Sequence, residues 1–158
     1  IGSSLVGSEM CIRDSNRLAR WGLNVPHPRG VHKNVLVMDY VGSAASPSPK
    51  LRDVAIEDPQ AVYDDLLKFL AVSWQKASLV HGDFSPYNIL WHDGRACVID
   101  VGQGVVDSHP KAQEFLVRDV TRLVEWGQKN DLDVDLAGAM YEVLNMDLSD
   151  VEQVELLE

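Results

Sequence analysis

Apolar residues recur at helical spacing in three stretches of the chain. In the stretch 58–77, Asp58-Pro59 is a helix start, because aspartate caps an N-terminus and proline suits the first helical position. The same spacing predicts a second long helix over 110–127 and a third over 136–144. The apolar stripes are Val62, Leu66, Phe69, Leu70 and Trp74 on the first helix, and Phe115, Leu116, Val120, Leu123, Val124 and Trp126 on the second.

Short apolar runs separated by turn residues predict strands. Runs 30–32 and 35–40 flank Lys33-Asn34 and predict a hairpin, and 79–80 is a short strand. Runs 89–91 and 96–99 are joined by His92-Asp-Gly-Arg, a good turn. Two strands, a helix, a small meander and further helices give an α+β pattern whose C-terminal half is mainly helical.

Both ends of the chain differ from this pattern. Residues 1–15 have neither helical nor strand periodicity and resemble translated adapter sequence, so we predict a non-native segment; a genuine flexible arm is the alternative. Residues 16–22 are predicted as the end of a helix that stops at Gly22. Ser149-Asp-Val-Glu152 has the capping-box pattern, which predicts an acidic C-terminal helix over 149–158.

The net charge of −10 is concentrated in the last part of the chain. Residues 1–129 carry 15 acids and 14 Lys/Arg, whereas residues 130–158 carry nine acids and no Lys or Arg. The tail therefore disfavours nucleic-acid binding, and it is either a solvated face or a docking segment for a basic partner. No membrane span or secretory signal is recognisable, so we expect a soluble cytoplasmic protein. Cys11 and Cys97 have no metal-ligand spacing.

The motif that carries chemistry runs from Leu79 through Val-His-Gly-Asp-Phe-Ser-Pro-Tyr-Asn to Ile99-Asp100. Asp83 precedes Asn88 by five residues and Asp100 by seventeen. This order is typical of phosphoryl transfer, in which one carboxylate accepts a hydroxyl proton while an amide and a second carboxylate hold metal ions. Oxygen ligands of this kind suit Mg²⁺. The sequence therefore predicts Asp83 as a base and Asn88 with Asp100 as metal ligands.

This skeleton is shared by small-molecule kinases of the aminoglycoside-phosphotransferase type, but other residues favour a different family. Ser85 and Tyr87 within the loop, Gln103 after Asp100-Val-Gly, and His109-Pro110 with Arg118-Asp119 together resemble the RIO family of atypical serine/threonine protein kinases. The Ile-Asp-Val-Gly-Gln form resembles the branch without a winged helix. The resemblance covers residues 16–144 and implies a protein-kinase-like fold, with 16–42 as the upper-lobe remnant and hinge and 43–148 as the lower lobe.

The resemblance also implies cofactors and partners. ATP and Mg²⁺ would be used, Asp83 would be the catalytic base, and Asp100 would additionally accept phosphate as a phosphoenzyme. The protein would act on a protein substrate or as an ATPase switch on a maturing small ribosomal subunit, without reading nucleic-acid sequence. Around the nucleotide, the implied residues are Met38 behind adenine, the backbone of Asp39 and Val41 beside it, Leu90 and Ile99 as its apolar floor, and Ser85 near phosphate or metal-bound water.

Three parts of a kinase are not found in these 158 residues: the Gly-rich loop, the strand lysine and the helix glutamate. We interpret this as truncation, and we expect the chain alone to be weak or inactive. Two alternatives remain. One is a small-molecule phosphotransferase. The other is a non-catalytic lower-lobe module whose acidic tail docks on a ribosomal or other basic partner.

Overall fold

The structure, a computed structural model, describes residues 2–33 and 35–156. Its helices and strands follow the order α1, β1, β2, α2, β3, β4, β5, β6, α3 and α4. Single 3₁₀ turns at Leu51–Asp53 and Val101–Gln103 stand before α2 and β6. The bounds are α1 Gly2–Arg20, β1 Pro28–His32, β2 Val35–Met38, α2 Pro59–Gln75, β3 Leu79–Val80, β4 Ile89–His92, β5 Arg95–Val98, β6 Val105–Val106, α3 Ala112–Lys129 and α4 Leu136–Asn145.

Helix α2 is the centre of the core. Its start is confirmed, since the Asp58 side chain accepts a hydrogen bond from Ala61 N at 3.1 Å. Its buried face packs against α3 and α4. Leu66, Leu70 and Val72 are each at most 2% exposed, so each contributes on the order of 1.5–3 kcal/mol of burial. The predicted stripes of α2 and α3 are buried except for Trp74 and Phe115, which are half-buried.

Three two-stranded antiparallel sheets surround this helical core. The hairpins β1–β2 and β4–β5 confirm the predicted strand pairs. In the turn of β4–β5, Asp93 and Gly94 both have positive φ, of 51° and 71°, as a tight hairpin turn requires. Lys33 also has a positive φ of 56°, while Asn34, the other predicted turn residue, lies outside the described residues. The pairing of β3 with β6 was not predicted.

The structure differs from the predicted secondary structure at both ends, while the non-native origin of residues 1–15 stays a prediction. Residues 2–15 are helical as part of α1, and Ser15 and Leu18 on this helix are at most 1% exposed. No helix was predicted here because glycine and serine, which are poor helix formers, are frequent in this segment. The helix is held by packing against the 101–103 turn and β1. Its end at Arg20 before Gly22, whose φ is +75°, agrees with the prediction.

The predicted acidic helix over 149–158 is wrong for the residues that the structure describes, since 151–156 have no helical turn. Ser149 does not act as a cap. Instead its N–H donates to Asp147 Oδ1 at 3.0 Å, which forms a turn. The segment then runs back along the body, where Val154 N donates to Arg20 O at 2.7 Å. Among the described residues, no helix combines the length and the apolar character that a membrane span requires.

Candidate active site

The 81–88 loop between β3 and β4 carries the predicted base. Asp83 is half-buried. Its Oδ2 accepts a hydrogen bond from Asn88 Nδ2 at 2.9 Å, and its backbone carbonyl accepts from the same nitrogen at 2.9 Å. On its other side, Arg122 Nη1 lies 3.6 Å from Asp83 Oδ1. The structure therefore brings Asp83 and Asn88 together, with the Arg122 guanidinium beside the carboxylate.

His81 joins this loop to the strand that leads to Asp100. The ring is 2% exposed, its Nδ1 accepts the Asp83 N–H at 3.1 Å, and its Nε2 lies 2.7 Å from Ile99 O. Because Nδ1 is the acceptor, the proton of the neutral ring lies on Nε2, which donates to the Ile99 carbonyl. His81 thus supports the backbone on both sides of the site.

Asp119 on α3 anchors the loop from below. This carboxylate is 0% exposed and accepts two backbone N–H groups, from Gly82 at 2.8 Å and from Phe84 at 3.1 Å. Burial raises the pKa of Asp119, while the two N–H donors, His81 and Arg118 act in the opposite direction. Arg118 also donates to the Gly82 carbonyl. Both backbone groups of Gly82, which has φ +85°, are therefore held by α3 side chains.

Asp100 stands directly after β5, at the start of the 101–103 turn. It is exposed and adopts left-handed backbone angles, φ 58° and ψ 45°, which are uncommon for a residue other than glycine. Helix α1 packs closely on this turn: a Cβ on Gly102 would lie 2.9 Å from Cys11 Cβ. Burial raises the pKa of the Cys11 thiol, and nearby Asp14 and Asp100 raise it further. Cys11 is thus an α1 residue that faces the 101–103 turn.

Asn88 and Asp100 fit the binding of a hard cation. The Asn88 amide nitrogen is held by Asp83, which leaves its Oδ1 as the atom available to a metal. A 2.9 Å hydrogen bond from Ile99 N to Asn88 O brings the backbone of Asn88 beside Asp100. The described part of the chain contains no group of three or more His, Cys, Asp or Glu that could hold a metal by itself. Mg²⁺ needs none, since it is commonly held by one or two protein oxygens plus substrate phosphates and water.

The residues expected around adenine lie on two sheets. Met38 ends β2, and Asp39 and Val41 follow it in the hinge, whereas Leu90 is on β4 and Ile99 follows β5. In the hinge, Asp39 N donates to His27 O at 2.9 Å and Val41 O accepts from Ser48 N at 3.1 Å. These bonds use the N–H of Asp39 and the C=O of Val41. The opposite groups, Asp39 C=O and Val41 N–H, remain to pair with a base edge.

A separate concave surface lies against the 81–88 loop, and we call it the Tyr87 cleft. Ser85, Pro86 and Tyr87 line one side of it, together with the 51–54 segment, and α3 lines the other. Ser85 is 4% exposed and lies on this side of the loop. Arg122 was missed by the sequence analysis, although its spacing from Arg118 places both side chains on one face of α3. The α3 residues in the lining are Arg118, Thr121, Arg122, Glu125, Trp126 and Lys129.

Comparison with solved structures identifies the class of fold. The Rio2 kinase from Chaetomium thermophilum superposes with a TM-score of 0.65 at 22% identity, over 89% of this chain and 47% of that one. A second structure of that kinase, described as an ADP/Mg²⁺–phosphoaspartate complex, gives a TM-score of 0.64 at 21% identity. This confirms the protein-kinase-like fold expected from the sequence.

The RIO-domain family model matches residues 8–137. Curated relatives include the RIO-type serine/threonine-protein kinase Rio1 of Haloferax volcanii, 39% identical over 131 residues, or 83% of this chain and 44% of that protein. The Rio1 kinase of Thermoplasma acidophilum is 36% identical over 123 residues, or 77% of this chain and 64% of its own. The chain therefore belongs to the RIO domain family, and it spans less than half the length of the Haloferax relative.

Proposed function

We propose that this chain supplies the catalytic and metal-binding part of an ATP-dependent RIO-type serine/threonine kinase or ATPase. The observation that carries the proposal is the hydrogen-bonded set Asp83, Asn88 and His81, with Asp100 directly after Ile99, whose carbonyl His81 contacts. Family membership supports a kinase in preference to a small-molecule phosphotransferase. A maturing small ribosomal subunit, or a protein bound to it, is the partner that we propose from the resemblance of the motif.

Asp83 would act as the general base. Asn88 donates to one of its carboxylate oxygens and Arg122 lies 3.6 Å from the other, so the carboxylate is positioned before a hydroxyl arrives. A substrate hydroxyl placed against it loses its proton to Asp83 as its oxygen bonds to the γ-phosphorus of ATP. The bond from that phosphorus to the bridging oxygen breaks, and ADP leaves. A base positioned in this way contributes about 10²–10⁴-fold in rate.

Asn88 Oδ1 and the Asp100 carboxylate would hold Mg²⁺, which neutralises charge on the phosphates. Adenine would pair with Asp39 C=O and Val41 N–H, between Met38 on one side and Leu90 and Ile99 on the other. Ser85 would contact phosphate or metal-bound water. The hydrogen bonds of the hinge and of Asn88 support these assignments, because they leave the required atoms available.

Asp100 would also serve as a phosphate acceptor. Its exposed carboxylate can attack the γ-phosphorus directly, which needs no proton transfer and gives an aspartyl phosphate and ADP; water then releases inorganic phosphate. The printed description of the Chaetomium Rio2 complex names a phosphoaspartate with ADP and Mg²⁺, which supports this chemistry in the same fold. A cycle of this kind would make ATP hydrolysis a main activity.

Two measurements test the proposal. On this chain, calorimetry should show Mg²⁺-dependent ADP binding that Asp100→Asn removes and Asp93→Asn retains, since Asp93 lies on the β4–β5 turn outside the site. Transfer is tested in a chimera, in which this chain replaces the matching segment of the Haloferax kinase.

In the chimera, Asp83→Asn should lower phosphate transfer by about 10²-fold or more while ADP binding changes little. Asp100→Asn should remove hydroxylamine-sensitive labelling by radioactive ATP, and Asp93→Asn should leave both unchanged. Parental transfer rates in the Asp83→Asn chimera would exclude Asp83 as the base. A chimera that binds Mg²⁺-ADP normally but transfers no phosphate would contradict the catalytic proposal and favour a non-catalytic module.

A further inference from the structure

The Tyr87 cleft is a cationic concave surface next to the proposed base. Its charged lining consists of Arg52, Arg118, Arg122 and Lys129, against the single acid Glu125. The whole chain, by contrast, has a net charge of −10. Such a concentration of one sign in a cleft attracts ligands of the opposite charge, because the field is focused between low-dielectric walls.

The cationic side of the cleft is built by one face of α3. Arg118, Arg122, Glu125 and Lys129 are spaced by four, three and four residues, so they form a row along the helix. The apolar stripe of α3 is buried on the opposite side. Arg118 is engaged with the Gly82 carbonyl and Arg122 lies beside Asp83, so Lys129 is the α3 cation in the lining that we assign to a ligand.

The opposite wall is fixed to the 81–88 loop. Arg52 N donates to Pro86 O at 3.3 Å, which ties the Leu51–Asp53 turn to the loop. The Arg52 guanidinium lies 4.1 Å from the centre of the Tyr87 ring, and Lys50 Nζ lies 5.9 Å from it. Tyr87 is 53% exposed. The ring thus supports Arg52 of the lining and one further cation, Lys50.

The cleft adjoins the proposed base, since Arg122 both lines it and lies 3.6 Å from Asp83 Oδ1. A segment lying in the cleft therefore passes within reach of the base. This contact links the cationic surface to the place where a hydroxyl would lose its proton.

We propose that the Tyr87 cleft binds an acidic protein segment and places its serine or threonine hydroxyl at Asp83. This inference rests on the proposed function and names the substrate class of that site. Arg52 and Lys129 would pair with carboxylates that flank the hydroxyl residue, while Arg122 stays beside Asp83.

A protein segment fits the lining better than a nucleic acid does. Leu51, Val54, Pro86 and Trp126 give the cleft an apolar floor suited to side chains. Glu125 interrupts the row of cations, so it would repel a continuous line of phosphates while it can accept a peptide N–H. The net negative charge of the chain also repels a long polyanion more strongly than a short acidic peptide that stays within the cleft.

The test measures binding on the chain without nucleotide, by fluorescence anisotropy. The probes are a short labelled peptide with a central serine flanked by Glu and Asp, the same peptide with Gln and Asn, and a single-stranded RNA of similar length. The acidic peptide should bind at least about 10-fold more tightly than the neutral one, and its affinity should fall as salt is raised.

Lys129→Glu and Arg52→Glu should each weaken acidic-peptide binding by roughly 3- to 10-fold. Lys68→Glu, the same charge change on the exposed side of α2, is the matched control and should bind as the parent does. Circular dichroism melts establish that each variant is folded, and Arg52→Gln serves in place of Arg52→Glu if the latter is not.

Equal affinity for the acidic and neutral peptides, or parental binding by the Lys129→Glu and Arg52 variants, would overturn the proposal. Tighter binding of the RNA would assign the cleft to nucleic acid instead. Mg²⁺-ADP binding is measured in parallel on the same samples. If the chain does not bind Mg²⁺-ADP but still binds the acidic peptide more tightly than the neutral one, the proposed function is wrong and the peptide-binding role of the cleft stands. If the chain binds Mg²⁺-ADP but does not prefer the acidic peptide, only the role of the cleft is rejected.

Discussion

Replacing Asp119 by alanine should release the 81–88 loop from α3. In the native chain this fully buried carboxylate accepts the N–H groups of Gly82 and Phe84. Alanine leaves both donors without an acceptor in a buried place. Each such donor costs about 1–3 kcal/mol, so the loss in unfolding free energy is roughly 2–6 kcal/mol. Burial raises the pKa of Asp119, which shows that the charged group is itself costly to bury, and this favours the lower half of that range.

The variant Asp119→Asn tests whether the loss of stability comes from the two unpaired N–H groups. Its amide oxygen can accept one of the two N–H groups, whereas its amide nitrogen cannot accept the other. We expect about half of the loss seen with alanine. Asp64→Ala is the control: Asp64 is also a helical aspartate, but it is exposed and accepts only from Gln60 at 2.8 Å, so its loss should cost under about 0.5 kcal/mol.

The assay is urea denaturation followed by circular dichroism, with amide hydrogen exchange at Gly82 and Phe84. In Asp119→Ala these two amides should exchange faster even where the helices remain protected. The reasoning would be refuted if Asp119→Ala and Asp64→Ala gave equal unfolding free energies, or if the exchange of the two loop amides did not change.

Three further predictions concern other parts of the chain. Burial raises the pKa of Cys97 to about 11 from 9.0, so the folded state holds the thiol proton more tightly than the unfolded state does. The resulting stabilisation, up to roughly 2–3 kcal/mol, is complete below pH 9 and is lost as the pH rises through 11. Urea titrations of the parent and of Cys97→Ala at several pH values should isolate it. Gly82→Ala and Gly94→Ala both place a side chain at positive φ, so each should lower the unfolding free energy by about 1–2 kcal/mol in thermal melts. Only Gly82→Ala should also weaken acidic-peptide binding. Equal effects of the two variants on binding would contradict this prediction. Asp58→Ala removes the cap of α2 and should cost about 1 kcal/mol by urea denaturation, with Asp58→Asn as the neutral control.

The helices of the core could be predicted because they are long and their apolar stripes are regular. Helix α2 was predicted to within two residues, from Asp58 and the stripe that follows it. Strand β6 could not be predicted, because a two-residue strand has no period, and its pairing with β3 depends on tertiary contact. Helix α1 was missed because its first half is rich in glycine and serine, which are poor helix formers, and it is held by packing.

The site was predictable in part. Asp83, Asn88 and Asp100 follow from order and spacing, since phosphoryl transfer needs those residue types. The structure shows Asp83 and Asn88 bonded, while their chemical roles remain predictions. Arg122 carried no signal along the motif, because it lies 39 positions after Asp83 and approaches it only when α3 packs on the loop. Its spacing from Arg118 was the one available hint.

The acidic end of the chain shows the limit of a local pattern. Ser149 and Glu152 have the right spacing for a capping box, but the Ser149 N–H donates to the Asp147 side chain and the backbone forms a turn there. Leu148, 4% exposed, then packs with Ala71 and Val72 of α2. Burial of the Leu148 side chain stabilises the turned conformation. Together with the carboxylates that follow Leu148, it outweighs the weak tendency of this acidic segment to form a helix.

The way in which side chains hold the 81–88 loop has a consequence for its dynamics. The amides of Gly82 and Phe84 donate to Asp119 and that of Asp83 donates to His81, so three consecutive N–H groups are bonded to buried side chains and none to a strand partner. Although it has no regular secondary structure, the loop should exchange these hydrogens as slowly as a core helix does. The same His81 ring is also hydrogen-bonded to the Ile99 carbonyl, directly before Asp100. The positions of Asp83 and Asp100 should therefore fluctuate together, and the distance between them should change little as the domain vibrates.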